Sequence, residues 1–412
     1  MATNDKQVLR ALAERYSAIA HQDIQQERLA RYIQTISREP VRPVVLIFEV
    51  PWGEIKDEAL VCRCAQELRW LEEPLRQALY QWEHFQVDTV IRPEFCVAKQ
   101  ARNTGIGLEV QEQQLRAGTG SDILAHEYHD QLQTEADLAK LKLPVITYDA
   151  EATAAAVAVA SEVFTGLLPV KACGRPHLAY CLWDTIARYR GVDALLLDLA
   201  ERPEFMHQTV QRFAAIGEAT FRQMIEQDLV EVDPLYVHCT VGPTRDLPAR
   251  DFAGKVRPQD VWGRCAAQIF GSVSPAMHDE FDLAYNEKLF ADCGLVYYGC
   301  CEPMDRKVDI LRKRFKNLRK ISITPWADPE RAAANIGQDY VLAAKPNPAH
   351  VSQPTFHPEI VEKEIAGYVE ACQRHGTTCE FVLKDISTIA NNPRHLTEWA
   401  ATVKRVLDRC YT

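Results

Sequence analysis

In the second half of the chain, four short apolar runs, 295–298 (LVYY), 320–323 (KISI), 340–344 (YVLAA) and 379–383 (CEFVL), are each followed by a segment of helical periodicity. Runs of this length without alternation read as strands buried on both faces. A crossover helix returns the chain to the same end of the sheet, so consecutive strands of this kind are parallel. The helix ends carry matching signals. One helix is expected over 305–315; the next opens at Asp328 with Pro329 in its first turn and closes near Gly337. A third runs from Pro358 to about Arg374 and stops at Gly376, and Pro393 opens the last, with Leu396, Trp399, Val403 and Val406 on one stripe.

The first half adds four runs, 44–50 (VVLIFEV), 88–91 (DTVI), 169–173 (PVKAC) and 235–239 (LYVHC), which makes eight. Eight strands alternating with helices predict a (β/α)8 barrel, an α/β TIM-barrel fold. Residues 1–40 precede the first strand and are expected to form a helical N-terminal extension. The long segment between the second and third strands holds GIGLEVQEQQ, a capping pattern over 134–137 and an alanine-rich helix over 151–166; it reads as an insertion over the barrel mouth. No linker, low-complexity tract or repeat divides the chain, so 1–412 is expected to be one domain. An open doubly wound sheet fits less well, because Gly105 and Gly107 lie in no strand-to-helix turn that would cradle a phosphate.

A formal net charge of -10, from 47 basic and 57 acidic residues, argues against a nucleic-acid partner, whose affinity comes mostly from neutralised phosphates. The basic run 311–320 (LRKRFKNLRK) reads as the solvated outer face of a helix. The chain begins with polar residues, and no apolar run reaches the ~18 residues of a membrane span. A cytoplasmic protein without a membrane partner is therefore expected, and the thirteen cysteines read as reduced thiols.

In a barrel of this kind the chemistry sits at the C-terminal strand ends. Those ends offer Glu49, Trp52 and Glu54 from the first strand, Lys171 and Cys173 from the third, and His238 and Cys239 from the fourth. The fifth delivers Tyr298, Gly299, Cys300, Cys301 and Glu302; the sixth, Thr324 and Trp326; the seventh, Lys345 and Asn347; the eighth, Lys384 and Asp385. Thiolate and imidazole are good zinc ligands, so His238 with Cys300 and Cys301 is a candidate metal site. Adjacent cysteines on an extended strand point to opposite faces, so only one faces inward unless the strand is bulged. Glu49 is a base, a ligand or the partner of a cation. Trp52 and Trp326 either stack on a flat ligand or plug the barrel top. Lys345 and Lys384 orient anionic groups, or Lys384 neutralises Asp385. His126 and His129 read as surface histidines.

The segments SPAMHDEFDLAYNEKLFADCG, LVYYGCCEPMD, NLRKISITPWAD, YVLAAKPNPA and VLKDIST, with the opening RPVVLIFEVPWGE, resemble the uroporphyrinogen decarboxylase superfamily over nearly the whole chain. That superfamily also contains methyltransferases that move methyl groups between corrinoid cofactors and thiols. The resemblance implies a (β/α)8 barrel. The decarboxylases carry an arginine-rich segment after the first strand that binds the acidic arms of the tetrapyrrole. Here that segment reads FEVPWGE, whose Glu49 and Glu54 repel a polycarboxylate. The zinc methyltransferases carry His-x-Cys on a middle strand and a later Cys. The corresponding residues here are Tyr298, Gly299 and Cys300, then 384–387, and only Cys300 matches.

The resemblance therefore implies a methyltransferase-like enzyme working with a corrinoid and a zinc ion. Cys300, His238, Glu49, Glu302 and Asp385 are its candidate catalytic residues; Trp52, Tyr298, Trp326, Lys345 and Lys384 are its candidate binding residues. Two readings stand beside it: a metal-free decarboxylase or lyase that holds a carboxylate with Lys345 or Lys384, and a corrinoid-binding barrel without turnover. The expected partners are a small-molecule substrate, a corrinoid protein and a second copy of the chain.

Overall fold

The protein, seen in a computed structural model, is described over residues 3–116, 124–235 and 241–411. It is a mixed α/β protein whose strands outside the 101–148 segment are β1 (Val44–Ile47), β2 (Phe95–Ala98), β3 (Val170–Cys173), β4 (Leu178–Ala179), β5 (Trp262–Cys265), β6 (Leu295–Tyr298), β7 (Leu318–Ile323), β8 (Val341–Ala344) and β9 (Cys379–Leu383). Seven of them form one parallel sheet in the order β1-β9-β8-β7-β6-β5-β4. That neighbour order is the one a barrel requires, but closure is not seen among the described residues.

Among the described residues, one expected strand is displaced from the main sheet and one forms no ladder, and a third expected strand lies mostly outside them. The run 169–173 is a strand, β3, yet it pairs with β2 in a separate two-stranded sheet, and the short β4 takes the third place in the main sheet. Residues 236–240, which hold most of the expected fourth strand, lie outside the described residues; β5 occupies the position beside β6. The run 88–91 lies beside β1 without a ladder. The Asp88 N–H donates to the Val45 carbonyl at 2.8 Å, but its carboxylate, not a backbone carbonyl, accepts the Val45 N–H at 2.9 Å. Arg31 and Arg42 hold that carboxylate at 2.5 and 3.3 Å.

The helices used below are α1 (Thr3–Ala20), α2 (Asp23–Ile36), α3 (Arg69–His84), α4 (Ala150–Phe164), α5 (Leu182–Arg190), α6 (Val192–Glu201), α7 (Pro203–Glu226), α8 (Val308–Arg314), α9 (Pro329–Ile336), α10 (Pro358–His375) and α11 (Arg394–Cys410). The end signals act as read. Asp328 accepts the Arg331 N–H at 3.0 Å to cap α9, and Gly376 closes α10 in the left-handed conformation. The α11 stripe Leu396, Trp399, Val403 and Val406 is fully buried.

The two faces of the sheet are buried differently. Val45, Ile47, Val296, Tyr298, Ile321, Ile323, Phe381 and Leu383 pack with the helices in the largest apolar cluster. Val44, Leu46, Trp262, Leu295, Tyr297, Ala343 and Val382 form a second cluster on the other face, joined by Tyr32 and Ile36 of α2. Period-2 alternation produces this division, and it also puts polar groups on that inner face. Lys320 of β7 and Glu380 of β9 meet there at 2.7 Å with no exposure.

Among the described residues, the insertion packs against the outer helices rather than at the strand tips. Ala160, Val163 and Phe164 of α4 pack with Leu9 and Leu12 of α1, Leu71 and Leu75 of α3, and Phe95 and Val97 of β2. The hairpin strand Ile146–Tyr148 is held by α7, where Gln223 and Gln227 accept the Ile146 and Tyr148 N–H groups at 2.8 and 2.7 Å. An alanine-rich helix with one apolar face needs an apolar partner, and the outer helices supply it. Not all thiols are reduced: Cys96 of β2 and Cys173 of β3 form a disulfide.

The basic run behaves as expected only in part. Arg312, Lys313 and Arg314 lie along an acidic surface formed by Asp309, Asp279 and Glu287, while Lys320, at the end of the run, is the buried partner of Glu380. Among the described residues no helix is long and apolar enough to cross a membrane.

Candidate active site

Two clefts of about 420 and 450 Å³ lie at the C-terminal ends of β6 to β9 and β1, and both are lined by Asp385 and Ser387. The first is also lined by Cys300, Cys301, Thr324, Trp326, Lys345 and Lys384, the second by Glu49 and Glu54. A third, larger cleft of about 770 Å³ lies elsewhere, beside the Cys96–Cys173 disulfide and Lys171, and holds none of these residues.

Lys384 follows directly on β9 and is 2% exposed. Its ammonium lies 2.8 Å from the Asp385 carboxylate, 3.2 Å from Cys300 Sγ and 3.5 Å from Cys301 Sγ. The two sulfurs are 3.6 Å apart, and the Cys301 thiol donates to Asp385 Oδ2 at 3.2 Å. Asp385 in turn donates its backbone N–H to Glu49 Oε2 at 2.8 Å.

Backbone strain marks the same place. Glu49 and Asp385, at the tips of neighbouring strands, have φ of 52° and 54°. Positive φ is uncommon for residues other than glycine and costs of order 1 kcal/mol or more, so a surrounding structure must impose it. The Asp385–Glu49 hydrogen bond supplies part of that constraint. Glu54 supplies more: its carboxylate accepts from Thr388 Oγ1, Ile389 N and Asn391 N at 2.9, 2.9 and 3.1 Å, beside Ala390 and Asn391, which also have positive φ. Burial pushes the Glu54 carboxyl up, but these three hydrogen bonds outweigh it and hold it below the usual carboxylate range.

Gly299 decides which way the thiols face. Its φ of 101° breaks the alternation at the end of β6, so Cys300 joins Tyr297 in the inner-face cluster. A side chain at Gly299 would meet Ser322 Cβ at 3.0 Å, and Ser322 Oγ donates to the Cys300 carbonyl at 2.8 Å. This corrects two expectations. Tyr298 is not a ligand-facing residue: it stays on the outer face, fully buried, with His278 Nε2 at 2.5 Å and its hydroxyl donating to Asp282 at 2.6 Å. Glu302, 1% exposed, does not reach the cleft; it accepts the Cys300 and Ala267 N–H groups at 2.9 and 3.1 Å and so braces the turn that carries Cys300.

The tryptophans divide. Trp52 stacks on Phe85 and meets Tyr80 edge-on, with centroids at 6.5 and 6.0 Å, so it is packing rather than a ligand floor. Trp326 lines the cleft and is 74% exposed, a free aromatic face at the rim. Lys345 lines the same cleft and is buried, its ammonium 5.8 Å from the Tyr297 ring. His126 pairs across its hairpin with Glu112 at 3.1 Å, as a surface histidine would.

Reading by strand end overlooked the buried network behind the sheet. His278 Nδ1 lies 3.0 Å from the Lys307 ammonium, which also donates to the Phe270 carbonyl at 2.8 Å. His278 and Asp282 are one helical turn apart, a spacing visible in the sequence; Lys307 and Tyr298 reach them only through the fold. Burial lowers Lys307 and raises Tyr298 well above the phenol range. On the β4 and β5 side, burial and then the nearby Glu302 carboxylate raise Asp184 to about 7.

His238 and Cys239 lie outside the described residues, so the expected zinc site is tested on its two remaining ligands. Among the described residues no three His, Cys, Asp or Glu side chains gather as a metal site. Cys300 and Cys301 do not fit a zinc ion as the structure holds them. The Lys384 ammonium is within hydrogen-bond reach of both sulfurs, and a second cation on the same pair would meet it at close range.

By fold and site, this is an α/β protein with a parallel sheet whose strand tips gather two thiols, two ammonium groups and three carboxylates around open clefts. No protein-family model matches the chain, and no curated protein matches it. Among solved structures, a methyltransferase from Methanosarcina mazei aligns over 93% of this chain and 99% of its own, at 11% identity and a TM-score of 0.48. At that depth the likeness assigns no residue a role.

Proposed function

We propose that the protein is a methyltransferase-like enzyme that uses the Cys300 sulfur as a soft nucleophile toward a methyl group carried by a corrinoid. The observation that carries the reading is the approach of the buried Lys384 ammonium to Cys300 Sγ at 3.2 Å, in a cleft whose rim bears the exposed Trp326. An ammonium at hydrogen-bond distance stabilises negative charge on sulfur, and a thiolate is the nucleophilic form of cysteine. In the transfer, the sulfur attacks the methyl carbon; the S–C bond forms as the bond to the carrier breaks, and its electron pair stays with the carrier. The choice of methyl and corrinoid rests on the family resemblance of the sequence. The corrinoid is met at the open rim, as substrate on a partner protein.

The test incubates the protein with methylcobalamin, with and without a small thiol, and follows the corrinoid absorbance and the mass of the Cys300 peptide. Demethylation, with the methyl group on Cys300 or on the added thiol, is expected in the wild type and is lost in Cys300→Ser. No demethylation under either condition removes the reading.

A second reading, a decarboxylase or lyase, is favoured by one observation: Lys345 and Lys384 are both buried and line one cleft of about 420 Å³. It expects activity on a small carboxylic acid that survives a chelator and disappears in Lys345→Ala or Lys384→Ala.

A further inference from the structure

We infer that Lys384 is the built-in counter-cation of the Cys300 nucleophile, doing with an ammonium what a bound metal does for a substrate thiol. The inference rests on the reading of Cys300 as the nucleophile, and not on which carbon it attacks.

The contacts separate the roles of the two sulfurs. Lys384 has three N–H donors, and its neighbours within reach include Asp385 Oδ2 at 2.8 Å, Cys300 Sγ at 3.2 Å and Cys301 Sγ at 3.5 Å. The Cys301 thiol is engaged with Asp385, to which it donates at 3.2 Å. Cys300 Sγ is the nearer of the two sulfurs to the ammonium, at 3.2 against 3.5 Å. It is 2% exposed and Lys384 is also 2% exposed, so their attraction is screened far less than at the surface. Lys345 adds a second cation to the cleft. Among the described residues the opposing charges are Asp385, which competes for Lys384; Glu302, which accepts the Cys300 N–H at 2.9 Å; and Glu49, which accepts the Asp385 N–H at 2.8 Å.

Geometry makes the lysine a fixed part of the site. Lys384 follows on β9 with Val382 and Glu380 two and four residues before it on the inner face, and Gly299 turns Cys300 onto that face. Cys300 and Lys384 are 84 residues apart in the chain and meet only because the β6 and β9 tips converge. The ligand class that follows is a soft carbon electrophile: a carbon with a good leaving group, attacked by a sulfur that needs no metal ion.

The test measures the rate at which iodoacetamide alkylates Cys300 at pH 7, read by mass spectrometry of its peptide in a Cys301→Ser background. The thiolate attacks the methylene carbon, the S–C bond forms, and iodide leaves with the electron pair. Lys384→Met is expected to slow alkylation by about tenfold or more, and Lys384→Arg to keep it within about threefold. Asp385→Asn is expected to speed it, because the ammonium no longer serves a carboxylate; asparagine also tolerates the φ of 54°, so this variant carries the test if Lys384→Met fails to fold. Three results overturn the inference: wild-type Cys300 that resists alkylation, an Asp385→Asn variant no faster than wild type, or a stoichiometric zinc ion that is lost in Cys300→Ser. Inactivity toward methylcobalamin with this alkylation pattern intact removes the methyl reading and leaves the role of Lys384 standing.

Discussion

Replacing Lys320 by methionine tests whether the inner face of the sheet is dry. Lys320 and Glu380 are fully buried, 2.7 Å apart, and the ammonium lies 5.4 Å from the Tyr32 ring and 5.8 Å from that of Tyr297. At that separation, with an effective dielectric of about 20, the attraction is about 6 kcal/mol. It is offset by several kcal/mol for taking each ion out of water, so the pair as a unit contributes little. Lys320→Met loses the attraction and keeps the cost of burying the carboxylate, which destabilises by about 3–5 kcal/mol. The double variant Lys320→Met with Glu380→Leu removes both charges and returns to within about 2 kcal/mol of wild type, or exceeds it. Urea unfolding of wild type, both single variants and the double variant at pH 7 measures all the differences needed. If Lys320→Met loses less than about 1 kcal/mol, as a surface pair would, water reaches the pair and the enclosed inner face is wrong.

Three further outcomes follow from the site. Glu54→Ala removes the acceptor for two backbone N–H groups and one hydroxyl and is expected to cost about 2–3 kcal/mol by denaturant unfolding. Because the folded state holds Glu54 below its ordinary range, its contribution is present above the unfolded carboxyl value and lost as pH falls through the folded one, so wild type and Glu54→Ala should converge in stability in acid. Asp184 has the opposite sign: raised to about 7, it favours folding while protonated, and stability falls as pH rises from the ordinary Asp range toward 7. Asp184→Asn should flatten that slope in unfolding measured between about pH 4 and 8, and an unchanged slope would assign it to other groups. Gly299→Ala places a methyl group 3.0 Å from Ser322 Cβ at a φ of 101°; a stability loss of about 1–3 kcal/mol and slower Cys300 alkylation are expected, and full alkylation at wild-type rate would separate Gly299 from the aim of the thiol.

Much of the second half was legible because its signals are local. Asp328 with Pro329, Gly376 and the Leu396, Trp399, Val403, Val406 stripe each act within one or two helical turns, and the runs that became β6 to β9 carry their own apolar pattern. The run 88–91 has the composition of a strand, but the Asp88 side chain takes the ladder bond to Val45. Trp262–Cys265 carries a glycine and an arginine, so its pattern is weak, and it is a strand because β6 offers it a partner.

The sequence by itself determined which residue types stand at the strand ends: Glu49, Cys300, Cys301, Lys384 and Asp385 were all visible as candidates. Only the tertiary structure decided which of them share a cavity and which way they point. It turned Cys300 inward at Gly299, left Tyr298 behind the sheet, sent Glu302 to brace a turn, and brought Lys384 to a sulfur 84 residues away. The physical reason is range. Periodicity and capping are settled between residues a few positions apart, whereas side-chain direction at a strand tip depends on one backbone angle and on the hydrogen-bonded neighbour that register supplies.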